Sequence, residues 1–237
     1  MFVKICGTTN EEDALLAVAM GADAIGFIFS PSPRQISPTI AGDIAKRLPS
    51  EIITVGVFRD EAPQRVVDIV HRHGLRGAQL HGNETPQDTR WVAERVGFSI
   101  KAFSVGDATI GRAREFGVNA ILLDSPSPGS GKVFDWKLVE GTGLGSRVIL
   151  AGGLDATNVA DAIGQAHPWG VDAVSGLELS PGHKDPLKLQ AFIKAAKDAD
   201  PDGEPADYVV GGVGSLAEGG VDLDEEVDPY DWQEDFR

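Results

Sequence analysis

Val3–Phe29 reads VKICGTTNEEDALLAVAMGADAIGFIF, and it holds three parts with different periods. Val3-Lys4-Ile5-Cys6 is a short, β-branched run suited to a strand. Glu11 to Met20 places Leu15, Leu16 and Ala19 on a helical stripe, with Asn10 in position to cap it. Glu11, Glu12 and Asp13 suit the positive end of that helix, and Gly21 stops it. Ala24-Ile25-Gly26-Phe27-Ile28-Phe29 is a second apolar run. A strand, a helix and a strand in under thirty residues make one βαβ unit, whose strands must be parallel.

The alternation continues outward from that unit. Pro38 to Leu48 is a helix with proline at its start, Ile52 to Phe58 a strand, and Pro63 to His73 a helix. A strand at Gly77–Leu80, a helix from Pro86 to Val96 and a strand at Ser99–Phe103 follow. A weaker helix ends near Phe116, and Ala120 to Asp124 is the sixth strand. After it come a Gly/Ser/Pro loop from Ser125 to Lys132 and a poor helical segment around Phe134–Val139. Val148–Ala151, a helix from Asn158 to about Ala166, Val171–Val174 and a helix from Pro186 to Lys197 complete the pattern. Eight such units at ~25 residues each match the small end of the (β/α)8 TIM barrel range. A doubly wound open sheet is the alternative. Lys4, Gln79 and Lys101 inside apolar strands favour the closed barrel, whose lumen tolerates polar side chains near its mouth.

The chain of 237 residues carries a net charge of -15, distributed unevenly. Of 36 acidic and 21 basic residues, fourteen acidic and one basic fall after Lys197, leaving 22 against 20 in the body. Residues 1–197 are therefore expected to form the barrel domain, and 198–237 an acidic, Gly/Asp/Glu-rich extension that is solvated and disordered. The acidity argues against nucleic-acid binding, because phosphate backbones would be repelled. No apolar run reaches the ~18 residues of a membrane span. The single cysteine permits no intramolecular disulfide, and Met1 to Cys6 has no signal-peptide character. A soluble, cytoplasmic protein is the expectation.

In barrels of this kind the chemistry sits at the C-terminal ends of the strands. Those ends carry Cys6-Gly7, Ser32-Pro33-Arg34, Gln79-Leu80-His81-Gly82, Asp124-Ser125, Gly152-Gly153 and Ser175-Gly176. The two glycine turns follow adjacent strands seven and eight, the recurrent phosphate site of these barrels, where backbone N–H groups can approach an anion. Cys6 is either a small buried hydrophobe or a thiol whose ionisation the ammonium of Lys4, two residues away on the same strand face, would favour. Asp124 is either a turn former or, if desolvated, an acid on the opposite side of the mouth. Arg34, on a loop bracketed by prolines, suits a two-point carboxylate contact.

Other features carry less. Gly129-Ser130-Gly131-Lys132 fails as a P-loop, since residue 126 is Pro and residue 133 is Val. Gly212 to Ala217 fits a loose dinucleotide pattern without a βαβ unit around it. No His/Cys/Asp cluster has metal-ligand spacing, and no cofactor signature is present.

As an ordered set, the rim segments resemble the phosphoribosylanthranilate isomerase family of tryptophan biosynthesis. The matching stretches include Val3-Lys4-Ile5-Cys6-Gly7, Ser32-Pro33-Arg34, Gln79-Leu80-His81-Gly82, Leu122-Leu123-Asp124-Ser125, Leu150-Ala151-Gly152-Gly153-Leu154, Val171 to Glu178 and Gly182-His183-Lys184-Asp185. The resemblance spans residues 1 to about 197. It implies a cofactor-independent Amadori rearrangement of a small phosphoribosyl substrate, with Cys6 as general base and Asp124 as general acid. Arg34 would hold the anthranilate carboxylate, and the backbone at Gly152, Gly153, Ser175 and Gly176 the phosphate. His81 and Asp172 match family positions without an assigned role. Val174 stands where the family usually has the first serine of Ser-Ser-Gly, which puts one phosphate contact in doubt. Two alternatives stay open: the related isomerase of histidine biosynthesis, whose base is an aspartate, and a non-catalytic phosphoribosyl-binding scaffold.

Overall fold

The structure is a computed structural model, and it describes residues 1–125 and 147–200. Its strands are β1 (Phe2–Ile5), β2 (Ala24–Ile28), β3 (Ile53–Phe58), β4 (Gly77–Leu80), β5 (Phe98–Ser104), β6 (Ala120–Asp124), β7 (Val148–Leu150) and β8 (Gly170–Ala173). They close into one barrel in sequence order, and the pairing of β1 with β8 (Val3 beside Val171, Lys4 beside Asp172) seals the ring. All eight neighbouring pairs are parallel, as right-handed crossovers require. The helices are α1 (Glu11–Ala19), α2 (Pro38–Ala45), α3 (Pro63–Arg72), α4 (Pro86–Ala93), α5 (Val159–Ala166) and α6 (Pro186–Asp198).

Local chemistry sets the helix starts. The Asn10 side chain accepts from the Asp13 N–H, as the sequence suggests. Ser37 and Thr85 cap α2 and α4 in the same way, each followed by proline in the first turn. Asp185 accepts from the N–H groups of Leu187 and Lys188 at the start of α6. Each such cap is worth ~1 kcal/mol.

Three expectations are corrected. The weak helix before β6 is a 3-10 segment, Ile110–Phe116, ended by Gly117 in the left-handed region. A short hairpin, β9 (Glu178–Ser180) with β10 (His183–Lys184), follows β8 and has no counterpart in the sequence reading. Lys101 does not face the lumen. It points outward under the 3-10 segment, donating to the Leu80 and Gly82 carbonyls and to Glu84, with the Phe103 and Phe116 rings beside it. The loop carbonyls after β4 give its ammonium partners there. The segment around Phe134–Val139 and the extension beyond residue 200 lie outside the described residues. Residues 198–200 are continuous with the barrel: Asp198 ends α6, and Asp200 pairs with the N-terminal ammonium at 3.0 Å.

Two apolar layers hold the ring. The larger lies between strands and helices and includes Ile25, Phe27, Val66, Leu123, Phe192 and Ile193. The smaller fills the lumen with Phe2, Ile53, Val55, Phe98, Ile100, Leu122 and Ile149. Phe2 stacks on Trp169 at 4.4 Å between ring centroids, and Phe98 lies 6.2 Å from Phe2, so aromatic rings plug the N-terminal end. Phe98→Ala should therefore cost about 3–5 kcal/mol in urea unfolding while leaving KM unchanged, because the cavity opens at the end away from the mouth. A loss below ~1 kcal/mol would contradict this packing.

Candidate active site

In a strand every second side chain faces the lumen, so the residues that fill the barrel predict those that line its mouth. Lys4 leads to Cys6 on β1, Gln79 to His81 on β4, Leu122 to Asp124 on β6, and Asp172 to Val174 on β8. Cys6, Gln79, His81, Asp124, Asp172 and Val174, with Ile28, Ser32, Arg34, Val57, Ala151, Gly152, Gly153 and Ser175, line one pocket. Cys6, Asp124, Arg34, His81, Asp172, Gly152, Gly153 and Ser175 are thus brought together. Gly176 does not line the pocket but packs against Leu154, which does; a Cβ there would overlap the Leu154 carbonyl. The part of the Ser125–Lys132 loop after Ser125 lies outside the described residues.

Cys6 is buried, and burial pushes its thiol up. The charges of Lys4 and Lys184 pull the other way without cancelling that effect. The direction of the Lys4 influence follows from the sequence, whereas the larger effect of burial depends on packing. Gly26 on β2 makes room for the group: a Cβ there would stand 2.6 Å from Cys6 Sγ and 3.1 Å from Lys4 Nζ. Lys4 is fully buried and donates to Asp172 Oδ1 at 2.8 Å. Burial alone would lower its pKa, but Asp172 and Cys6 more than offset that, so it is held charged. Asp172, without a role on sequence grounds, is the partner that lets a lysine sit beneath the thiol.

Asp124 is buried at the end of β6, and its Oδ1 accepts from the Ser125 N–H at 2.7 Å. His81 Nε2 stands 3.5 Å from Asp124 Oδ2. The Gln79 amide nitrogen lies 2.9 Å from His81 Nδ1. Gly152 and Gly153 both have positive φ, and a Cβ at Gly152 would meet Ser125 and Asp124 Oδ1 within 3.0 Å. Only glycine lets the turn after β7 approach β6 this closely.

The Arg34 guanidinium is engaged along one of its edges. Its Nε and Nη2 are already held by Glu178, at 2.8 Å to Oε1 and 2.7 Å to Oε2. Glu178 also accepts from the Gly182 N–H, and Lys184 Nζ lies 3.4 Å away. Lys184 in turn donates to the Cys6 carbonyl at 2.7 Å. Arg34 raises its pKa through this pairing, and Glu178 is held below its usual range despite burial. Sequence reasoning missed Glu178 and Lys184 as site residues, since Glu178 is 144 positions from Arg34 and no local period links them. Among the described residues no cluster of three or more His, Cys, Asp or Glu could hold a metal, and no helix is long and apolar enough to cross a membrane.

The family model for N-(5'phosphoribosyl)anthranilate (PRA) isomerase matches residues 3–195. The chain belongs to that family. It is 48% identical over 204 residues to the N-(5'-phosphoribosyl)anthranilate isomerase of Desulforudis audaxviator, covering 83% of this chain and 98% of that one. A crystal structure of phosphoribosyl anthranilate isomerase from Thermotoga maritima superposes with a TM-score of 0.78 at 43% identity, over 84% of this chain and 99% of that one. A family structure in complex with reduced 1-(o-carboxyphenylamino)-1-deoxyribulose 5-phosphate superposes with a TM-score of 0.76 at 41% identity, over the same shares.

Cys6 is the only cysteine, so bulk alkylation reports on it alone. Its rate with iodoacetamide should reach half-maximum above the free-thiol value of about 8.5, and Lys4→Met should move that midpoint further up. A midpoint near neutrality would contradict the dominance of burial.

Proposed function

We propose that this chain catalyses the Amadori rearrangement of N-(5-phosphoribosyl)anthranilate to 1-(2-carboxyphenylamino)-1-deoxyribulose 5-phosphate, the isomerase step of tryptophan biosynthesis. It would act as an aldose-ketose isomerase without a cofactor. The observation that carries the reading is that one lumen pocket is lined by a thiol, a carboxyl, a guanidinium and the glycine turn after β7. Cys6 is the general base and Asp124 the general acid. The remaining donors of Arg34 take the anthranilate carboxylate, and the backbone of Gly152, Gly153, Ser175 and Gly176 takes the phosphate. Two anchors at opposite ends hold the reacting carbon between base and acid, which converts binding into orientation.

The protons balance without outside help. Asp124 gives its proton to the furanose ring oxygen as the anthranilate nitrogen lone pair forms the C1=N bond and the C1–O bond breaks. The iminium acidifies C2, and the Cys6 thiolate removes that proton to leave an enolamine. The thiol returns a proton to C1, and the C2 hydroxyl proton goes back to the Asp124 carboxylate as the ketone forms. Burial that raises the thiol also makes its conjugate base stronger, which suits abstraction from carbon. The Lys4 charge stabilises the thiolate when it forms.

Turnover of purified phosphoribosylanthranilate tests the reading. Cys6→Ala and Asp124→Asn should each lower kcat by ~10²–10⁴-fold, the usual worth of a positioned acid or base. Arg34→Ala should raise KM by about tenfold or more with a smaller effect on kcat. Full activity in Cys6→Ala would overturn the base assignment, and turnover only of the aminoimidazole carboxamide substrate would move the chain to the histidine-pathway reaction.

A further inference from the structure

Arg34 presents two edges on which a carboxylate can form paired hydrogen bonds: the side, made by Nε and Nη2, and the end, made by Nη1 and Nη2. Glu178 takes the side edge with three short contacts of 2.8, 3.0 and 2.7 Å. Nη1 has no partner among the described residues. Glu178 is itself immobilised: its side chain is 4% exposed, the Gly182 N–H donates to it, and Lys184 stands against it.

Those contacts form a closed circuit that begins and ends beside the thiol. Lys184 Nζ donates to the Cys6 carbonyl at 2.7 Å and to the Val174 carbonyl at 3.3 Å, and it reaches Glu178 Oε1. Glu178 grips Arg34, whose side-chain Cδ would lie 2.9 Å from a Cβ on Gly7, the residue after Cys6. The guanidinium is therefore registered to the sulfur through both backbone and side chains. A free arginine would lose rotamer entropy on binding a carboxylate, whereas this one is ordered beforehand.

We propose that Glu178 is the positioning residue for substrate selection: by occupying the side edge of Arg34 it turns the end edge into a receptor for a planar aromatic carboxylate at a fixed distance from Cys6. This rests on the isomerase reading above and adds to it. Glu178 also offsets the charge of Arg34.

The test is calorimetric binding of two ligands to the full chain. One is reduced 1-(o-carboxyphenylamino)-1-deoxyribulose 5-phosphate, and the other is its analogue lacking the carboxyl group. Wild-type protein should prefer the carboxylate by about tenfold or more. In Glu178→Gln, which keeps the side-chain volume, that preference should fall to about twofold while the affinity for the decarboxylated analogue stays within about twofold. Adding Glu178→Gln to Arg34→Ala should cost no further discrimination. Glu178→Asp, which keeps the charge opposite Lys184 but cannot span both nitrogens, should lose discrimination too and serves if the amide variant does not fold. Equal weakening toward both ligands would mean a structural role alone and would overturn the proposal. Tighter carboxylate binding in Glu178→Gln would show that Glu178 competes with the ligand, which also overturns it. Wild-type protein that binds neither ligand would instead remove the isomerase reading itself.

Discussion

A parallel strand in a closed ring has two faces, and only one of them sees the lumen. Everything at the mouth of this barrel follows from that constraint. The side chains that reach the pocket are the next lumen positions above those that fill the core, so Cys6 stands above Lys4, His81 above Gln79, Asp124 above Leu122 and Val174 above Asp172. A one-residue slip of β1 against β8 would turn Cys6 outward under the helices and bring Gly7 to the mouth. The register of Val3 beside Val171 and Lys4 beside Asp172 prevents it. The ion pair between Lys4 and Asp172 lies inside that register, so the same pairing that closes the ring also places a cation beneath the thiol.

Buried charge around the mouth is tolerated because each group has a partner. Lys4 is satisfied by Asp172, and Lys184 by two carbonyls and Glu178. Buried ions of this sort contribute little net stability, since desolvation consumes most of the Coulomb gain. Their worth lies in fixed position. The lumen below them is apolar and closed by Phe2, Phe98 and Trp169, so the polar groups are confined to the upper layers where a ligand can meet them.

Much of this was legible in the residues. Alternating periods from Val3 to Lys197 gave the eight-stranded ring, and proline marked the starts of α2, α4 and α6. The rim residues followed from where strands end, and the glycine pair after β7 from the backbone freedom that turn requires. What escaped was set by contacts between distant residues. Lys101 looked like a lumen residue, but strand parity is fixed by pairing partners that a single strand does not reveal. Burial of Cys6 outweighs the charge of Lys4, a comparison of magnitudes that only packing decides. The grip of Glu178 on Arg34 joins residues 144 positions apart, and the hairpin that carries Lys184 to the Cys6 carbonyl has no periodic signature.

The proposed reaction is a matter of geometry: a sulfur and a carboxyl face one pocket between an arginine edge and a glycine turn, the first placed for C2 and the second for the ring oxygen. A crystal structure of this chain with the reduced product analogue bound measures it most directly. C2 of the ligand within ~3.5 Å of Cys6 Sγ, the C4 oxygen against Asp124 and the phosphate on the turns after β7 and β8 is the expected result. A phosphate seated over β2 and β3 instead, with C2 facing away from the sulfur, would contradict it.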